Sequence, residues 1–330
     1  MHRCRNSVAA VLIALGTNTS CHPARTAPAA KFAWVNGVRL QYLDWGGPRH
    51  AMGLVFIHGL GDSPRAFDDI APAFRDRFRV IAYARRAHGR SEVKGPYDHG
   101  TLVEDLRQLL DTLGMLRVVL VGWSLGGNEL SEFAARYPDR VGGLVFLECY
   151  DYGAPRFAQM LAHFPMAFTP QSRDLASQEA FKRWWLSSAA PNAPLTAAMD
   201  AEIADLTTDG RDGSVRVVTS DSIASAFFAS AMTYRPPYTS LHAPILAMWG
   251  HWYRDGLLPR DAPDSLRRRV DVFLRDYGRP LQDSALAQLR AAVPTARLVM
   301  LDSASHAIFP FQNRDTIIAE MRQFVRTLGN

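Results

Sequence analysis

The chain alternates short apolar runs with segments in which apolar residues recur every three or four positions. Runs rich in Val, Ile and Leu are typical of strands buried on both faces, and the longer recurrence is typical of amphipathic helices. The predicted buried strands cover 52–57, 79–83, 118–121, 143–147, 244–249 and 296–301. The predicted helices cover 65–75, 102–113, 128–137 and 313–328. This alternation predicts an α/β fold with a doubly wound, mostly parallel sheet.

Two segments depart from the alternation. Near the start, Asn36-Gly37 separates two strand-like runs and predicts an antiparallel hairpin. Residues 152–238 are rich in proline and aromatic residues, and we interpret them as an inserted helical cap. The core is then predicted over 31–151 and 239–330.

Residues 1–30 have the pattern of a signal peptide followed by a linker. Arg3 and Arg5 precede an apolar stretch that is too short to span a bilayer. Cys21 is placed like the lipidation site of a bacterial lipoprotein signal, which predicts anchoring to a membrane. The alternative is simple cleavage near Ala27 to Ala30. Either interpretation predicts an exported protein, periplasmic or secreted.

Composition and charge limit the classes of partner that the protein is expected to bind. The 330 residues are 48% hydrophobic and 21% charged, as in ordinary globular proteins. The net charge of +5 comes mostly from scattered arginines, without a basic stripe and interleaved aromatics, so no nucleic-acid partner is expected. No group of histidines, cysteines and acids has the spacing of metal ligands. We therefore expect a small-molecule substrate, no metal and no cofactor.

The stretch from Val118 to Gly127 is the strongest chemical signal. An apolar strand runs into Gly122-Trp123-Ser124-Leu125-Gly126, and a helical pattern follows. Strand, sharp turn and helix are the context of a nucleophile elbow, in which small residues flank a strained serine. Side chains at Gly122 and Gly126 would collide with the neighbouring strand and helix. Ser124 is therefore the candidate nucleophile.

A serine hydroxyl needs a base, and the base needs an orienting acid. Reactive groups of such sheets lie at the carboxyl ends of strands, where His306 follows the last strand and is the candidate base. Glu148, at the end of the strand after the elbow helix, is the favoured acid. Asp151 in the same loop and Asp255 after the next core strand are the alternatives. Asp255 is off the usual spacing, since Tyr253 stands where the acid is expected.

Two backbone N–H groups are expected to form an oxyanion hole. One belongs to Leu125, directly after the nucleophile, and the other to Leu60 in the loop after the first core strand. Gly59 in that loop lets the main chain approach a substrate and is a predicted substrate-binding residue.

Four stretches together resemble a known family: His58 to Asp62, Arg85 to Ser91, Gly122 to Gly127, and Ser305-His306. From about Phe32 onward the chain resembles cap-bearing α/β-hydrolases of the fold-1 kind. It is most similar to a branch with a carboxylate at the position of Glu148, which supports that acid. Trp123 replaces the histidine common before the nucleophile, and the resemblance implies that it shapes the substrate pocket.

These observations favour a serine hydrolase that cleaves a small or medium ester or lactone through an acyl-enzyme intermediate. Serine at the elbow argues against dehalogenases and epoxide hydrolases, which use aspartate there. The same three side chains also suit an amidase or peptidase, a C–C hydrolase or a perhydrolase. A non-catalytic binding protein on this scaffold is the alternative of a different class.

Overall fold

The protein is described from a computed structural model, which covers residues 28–166 and 169–329. The predicted signal peptide and Cys21 lie outside these residues. Within them, no helix combines the length and hydropathy that crossing a bilayer requires.

The described residues form a large sheet and a small one. The strands are β1 Lys31–Val35, β2 Val38–Gly46, β3 Gly53–Ile57, β4 Arg79–Tyr83, β5 Val118–Trp123, β6 Val141–Leu147, β7 Thr207–Asp209, β8 Val215–Val217, β9 Ile245–Trp252 and β10 Arg297–Ala304. The large sheet has the order β1-β2-β4-β3-β5-β6-β9-β10. Only the β1–β2 and β2–β4 pairs in it are antiparallel, so the predicted mostly parallel sheet is confirmed.

Helices flank the large sheet and fill the segment between β6 and β9. They are α1 His99–Thr112, α2 Gly126–Arg136, α3 Pro155–Ala162, α4 Gln178–Ala189, α5 Ala197–Asp205, α6 Asp221–Thr233, α7 Asp264–Phe273, α8 Arg279–Ala292, α9 Phe309–Gln312 and α10 Arg314–Thr327. A π-helical turn at Leu274–Gly278 joins α7 to α8. Apolar side chains from both faces of the sheet enter two separate core clusters, as expected for a doubly wound sheet.

The helix predicted over 65–75 is wrong. Two short 3-10 turns, Pro64–Phe67 and Ala71–Phe74, occupy this stretch. Pro72 explains the break, because proline has no N–H to donate and its ring clashes with the carbonyl four residues earlier in an α-helix. The apolar spacing was genuine, since Phe67, Ile70 and Phe74 are all buried.

Residues between β6 and β9 form the segment interpreted as a cap. It contains α3 to α6 and also the antiparallel pair β7–β8, whose three-residue strands are too short to give a periodic signal. The cap boundaries at 152 and 238 stay a prediction. A third apolar cluster joins Phe181, Trp185 and Met199 of this segment to Ile308. The segment therefore packs against the turn that carries His306.

Candidate active site

Ser124 occupies the tight turn between β5 and α2. Its φ of 53° lies in the left-handed region, which is strained for a residue other than glycine. A Cβ added at Gly126 would lie 2.5 Å from the carbonyl oxygen of Ile57, and one at Gly122 would lie 2.4 Å from a methyl carbon of Leu130. Neighbouring backbone and helix therefore require small residues on both sides of the serine.

The structure brings His306 and Glu148 to this serine. His306 Nε2 lies 2.9 Å from Ser124 Oγ, and His306 Nδ1 lies 3.1 Å from Glu148 Oε2. The network assigns the proton to Nδ1, which donates to the carboxylate and leaves Nε2 free to accept from the serine. Three residues that follow β5, β6 and β10 thus form one continuous hydrogen-bonded chain, although 182 positions separate Ser124 from His306.

Glu148 is fully buried and held by further donors. Its Oε1 accepts from the Gly250 N–H at 2.7 Å, and its Oε2 accepts from Tyr150 Oη at 2.6 Å and Trp252 Nε1 at 2.9 Å. An ionised carboxylate can only accept, so this set of donors suits the charged form. The carboxylate is therefore fixed in the position from which it orients His306.

The two alternative acids lie elsewhere. Asp151 accepts from the Gly153 N–H at 3.1 Å and from Gln288 Nε2 at 3.1 Å. Asp255 is about half exposed, with its carboxylate 3.9 Å from Arg254 Nε. Glu148 is the carboxylate that contacts His306.

One predicted oxyanion donor, Leu125, directly follows the nucleophile, and the other, Leu60, lies in the loop after β3. Among the described residues, no backbone carbonyl accepts from the N–H of Leu60 or Leu125. The carbonyl of Gly59 accepts from His58 Nδ1 at 2.7 Å and from Arg85 Nη1 at 3.2 Å. Because a trans peptide is planar, fixing this carbonyl also fixes the Leu60 N–H, which points the opposite way. His58 and Arg85 thus orient one of the two predicted donors.

A buried polar network contacts the loop after β3. Arg85 is 1% exposed and pairs with Glu129 of α2 at 2.6 Å. Burial lowers the pKa of Arg85 to about 10, which leaves it charged at neutral pH. The pKa of His58 is held well below its ordinary value, mainly by burial and to a lesser extent by the charge on Arg85. His88 accepts from the Gly61 N–H at 3.1 Å through Nε2, with Nδ1 on the Arg86 carbonyl.

Acid should destabilise the protein through His88. Burial and the charge on Arg85 lower the pKa of His88 from 6.5 to about 3. Between these values the unfolded chain binds the proton and the folded protein does not, so the stabilisation is complete above pH 6.5 and is lost as pH falls. Through His88, we expect the parent to lose about 1.6 kcal/mol of unfolding free energy between pH 6.5 and 5.0. His88→Gln should not show this part of the loss.

Urea unfolding of both proteins at the two pH values measures this difference. His50→Gln, at an exposed histidine, is the control and should keep the parent's pH dependence. An equal pH dependence for His88→Gln and the parent would contradict the assignment.

The predicted substrate-binding residues, Gly59 and Trp123, lie close to Ser124 and His306. A Cβ at Gly59 would meet Asp62 Oδ2 at 2.3 Å and Ser124 Cβ at 3.3 Å, so the loop passes close to the nucleophile. Trp123 is 2% exposed within the second core cluster, with its ring centroid 6.5 Å from that of His306. Contact of either residue with a substrate stays a prediction.

Sequence reasoning missed Tyr152. Its hydroxyl lies 2.7 Å from Ser124 Oγ, and its ring packs on Phe157 with centroids 4.4 Å apart. The residue belongs to the loop after β6, together with Glu148 and Tyr150. The strand alternation gives no signal for it, because β6 ends at Leu147 and Glu148 takes a left-handed φ of 51°.

Comparisons with known proteins identify the family and the fold. A family model described as "alpha/beta hydrolase fold" matches residues 54–311. A bifunctional esterase/perhydrolase of Acinetobacter calcoaceticus is 39% identical over 106 residues, which are 32% of this chain and 38% of that protein. The chain therefore spans well under half the length of that relative.

Two further matches extend over more of the chain. A 2-(acetamidomethylene)succinate hydrolase of Mesorhizobium japonicum is 27% identical over 199 residues, covering 60% of this chain and 69% of that protein. Among solved structures, E-2-(acetamidomethylene)succinate hydrolase aligns with a TM-score of 0.70 at 20% identity, covering 91% of this chain and 99% of that chain. At this identity the structural likeness concerns the fold.

Proposed function

Because the chain belongs to the alpha/beta hydrolase family, we propose that it is a serine hydrolase that cleaves a small or medium ester or lactone through an acyl-enzyme intermediate. One observation carries this proposal: the hydrogen-bonded chain from Ser124 through His306 to Glu148, with distances of 2.9 and 3.1 Å. Such a chain activates a hydroxyl that is otherwise a weak nucleophile at neutral pH.

Acylation follows from these positions. Ser124 Oγ attacks the acyl carbon while its proton passes to His306 Nε2, and Glu148 stabilises the resulting imidazolium. The carbonyl oxygen becomes an oxyanion that accepts from the N–H groups of Leu60 and Leu125. The intermediate collapses when His306 returns the proton to the leaving alcohol oxygen, which leaves the acyl group on Ser124.

Deacylation repeats the sequence with water. A water molecule gives its proton to His306 and attacks the acyl carbon, and the carboxylic acid leaves as Ser124 recovers its proton. With a lactone, the alcohol and the acid belong to one product. Aromatic side chains near the nucleophile, Tyr152, Phe157 and Phe228, support an apolar acyl group.

An activity-based probe tests the proposal. A fluorophosphonate reacts only with an activated serine, so we expect it to label the wild-type protein and to leave Ser124→Ala unlabelled. Hydrolysis of p-nitrophenyl acetate, butyrate and octanoate and of γ- and δ-lactones then defines the acyl group. A wild-type protein without labelling would favour a non-catalytic binding protein, and labelling that survives Ser124→Ala would exclude this serine.

Amide hydrolysis is the second candidate. The chain is similar over 60% of its length to 2-(acetamidomethylene)succinate hydrolase, and the substrate in that name contains an acetamido group. This similarity favours an amide substrate. The same three side chains would act, with His306 protonating a leaving nitrogen in place of oxygen. A matched pair, p-nitrophenyl acetate and p-nitroacetanilide, separates the candidates, since both carry the same acetyl group and a chromophoric leaving group. Faster turnover of the anilide would make amide hydrolysis the first candidate and ester hydrolysis the second.

A further inference from the structure

Tyr152 contacts the proposed nucleophile from within the protein interior. Its side chain is 4% exposed, and its hydroxyl oxygen lies 2.7 Å from Ser124 Oγ. The ring is held between Phe157, with centroids 4.4 Å apart, and Phe228, with centroids 6.4 Å apart. The hydroxyl is therefore held beside the reacting oxygen rather than left to rotate in solvent.

In the hydrogen bond between Tyr152 and Ser124, the phenol is the donor. Ser124 has a single hydroxyl proton, and the attack on an acyl group requires it to point at His306 Nε2, 2.9 Å away. The hydrogen bond with Tyr152 must then run from the phenol to Ser124 Oγ. Burial raises the pKa of Tyr152 well above its ordinary value, so the phenol keeps its proton and acts as a donor rather than a base.

The surroundings of the phenol indicate where it faces. The loop that carries Leu60 borders the same serine, since a Cβ at Gly59 would lie 3.3 Å from Ser124 Cβ. Arg85 Nη1 binds the Gly59 carbonyl, and Asp62 Oδ2 lies 2.3 Å from where a Gly59 Cβ would be. Gly59 precedes Leu60, whose N–H is one of the two oxyanion donors. The phenol and the loop that carries Leu60 thus both border the side chain of Ser124.

We propose that Tyr152 is a further catalytic residue, a third donor to the oxyanion. This inference rests on the proposed serine hydrolase function. In the free enzyme the phenol donates to Ser124 Oγ. When Oγ bonds to the acyl carbon and gives its proton to His306, the π electrons of the carbonyl become the negative charge on its oxygen. The phenol then donates to that oxygen beside Leu60 and Leu125. Tyr152 keeps its proton throughout, and His306 alone transfers one.

Tyr152→Phe removes the hydroxyl and keeps the ring. We expect kcat/KM for p-nitrophenyl acetate to fall about 100-fold, as when one oxyanion donor is lost. Phenyl acetate, with a poorer leaving group, should show the same fall. A fall that grows with the basicity of the leaving group would assign the phenol to leaving-group protonation and overturn the oxyanion assignment.

A second measurement separates this role from packing. Phenylboronic acid forms a tetrahedral adduct on an activated serine and places a hydroxyl where the oxyanion would lie. Its affinity should fall about as much as kcat/KM in Tyr152→Phe. Tyr83→Phe is the control, because Tyr83 is fully buried and its hydroxyl has no partner among the described residues. This control should keep the wild-type kcat/KM and the wild-type affinity for phenylboronic acid.

The outcomes distinguish this inference from the proposed function. If the wild type hydrolyses esters through Ser124 and Tyr152→Phe stays within twofold of it, the inference about Tyr152 alone is wrong. If the wild type is neither labelled by fluorophosphonate nor active, the proposed function itself is wrong. Should Tyr152→Phe fail to fold, 3-fluorotyrosine at position 152 keeps the hydroxyl and makes it more acidic. Tighter binding of phenylboronic acid then supports the inference, and unchanged binding overturns it.

Discussion

Ser124→Ala is expected to lower kcat for ester hydrolysis by about 10⁵- to 10⁶-fold. Without Oγ no acyl-enzyme forms, and the remaining rate comes only from substrate binding and the oxyanion donors. Alanine has the same backbone preferences as serine here, so the elbow at φ 53° should form as before. Hydrolysis of p-nitrophenyl esters at enzyme concentrations high enough to detect the residual rate measures the loss.

Ser131→Ala is the matched control for this variant. Ser131 is buried in α2, and its hydroxyl donates to the Gly127 carbonyl within the same helix, away from His306. It should keep activity within a few-fold of the wild type. If Ser124→Ala retained more than about 1% of the wild-type kcat, another nucleophile would have to be sought.

Glu148→Gln is expected to lower kcat by about 10⁴-fold with a smaller change in KM. Glutamine has nearly the same volume but no charge, so it cannot stabilise the imidazolium that forms on His306. Its amide nitrogen can also face Nδ1 and favour the tautomer that carries its proton on Nε2, which cannot accept from Ser124. Steady-state kinetics on the ester used for Ser124→Ala gives the comparison.

Asp255→Asn and Asp151→Asn test the two alternative acids directly. Asp255 is about half exposed and lies beside Arg254, and Asp151 binds Gln288 and the Gly153 N–H. Neither substitution should therefore change kcat by more than a few-fold. The opposite pattern, with Asp255→Asn inactive and Glu148→Gln active, would transfer the role to Asp255.

The sequence predicted the sheet and the meeting of distant residues because both follow from strand topology. Ser124, Glu148 and His306 each follow a core strand, and carboxyl ends of parallel strands share one edge. Their side-chain distances could not be predicted in this way. The preference for Glu148 over Asp255 came from loop spacing and a family resemblance, and the structure adds the donors that hold it, Tyr150 and Trp252.

The errors and omissions also have physical causes. The apolar spacing of 65–75 predicted a helix, but Pro72 divides the stretch into two turns while the same side chains remain buried. Tyr152 belongs to no motif, and its contact with Ser124 depends on how the loop after β6 bends. Side chains that act through such loops are visible only once the backbone is placed.

The left-handed backbone at the nucleophile has a consequence for how this position can change. Glycine adopts a φ of 53° without the strain that serine carries there, about 1 kcal/mol. At position 124, thermal stability therefore favours glycine, whereas the proposed catalytic activity requires serine. The proposed reaction accounts for serine at this strained position, because it requires a hydroxyl at the edge of the sheet.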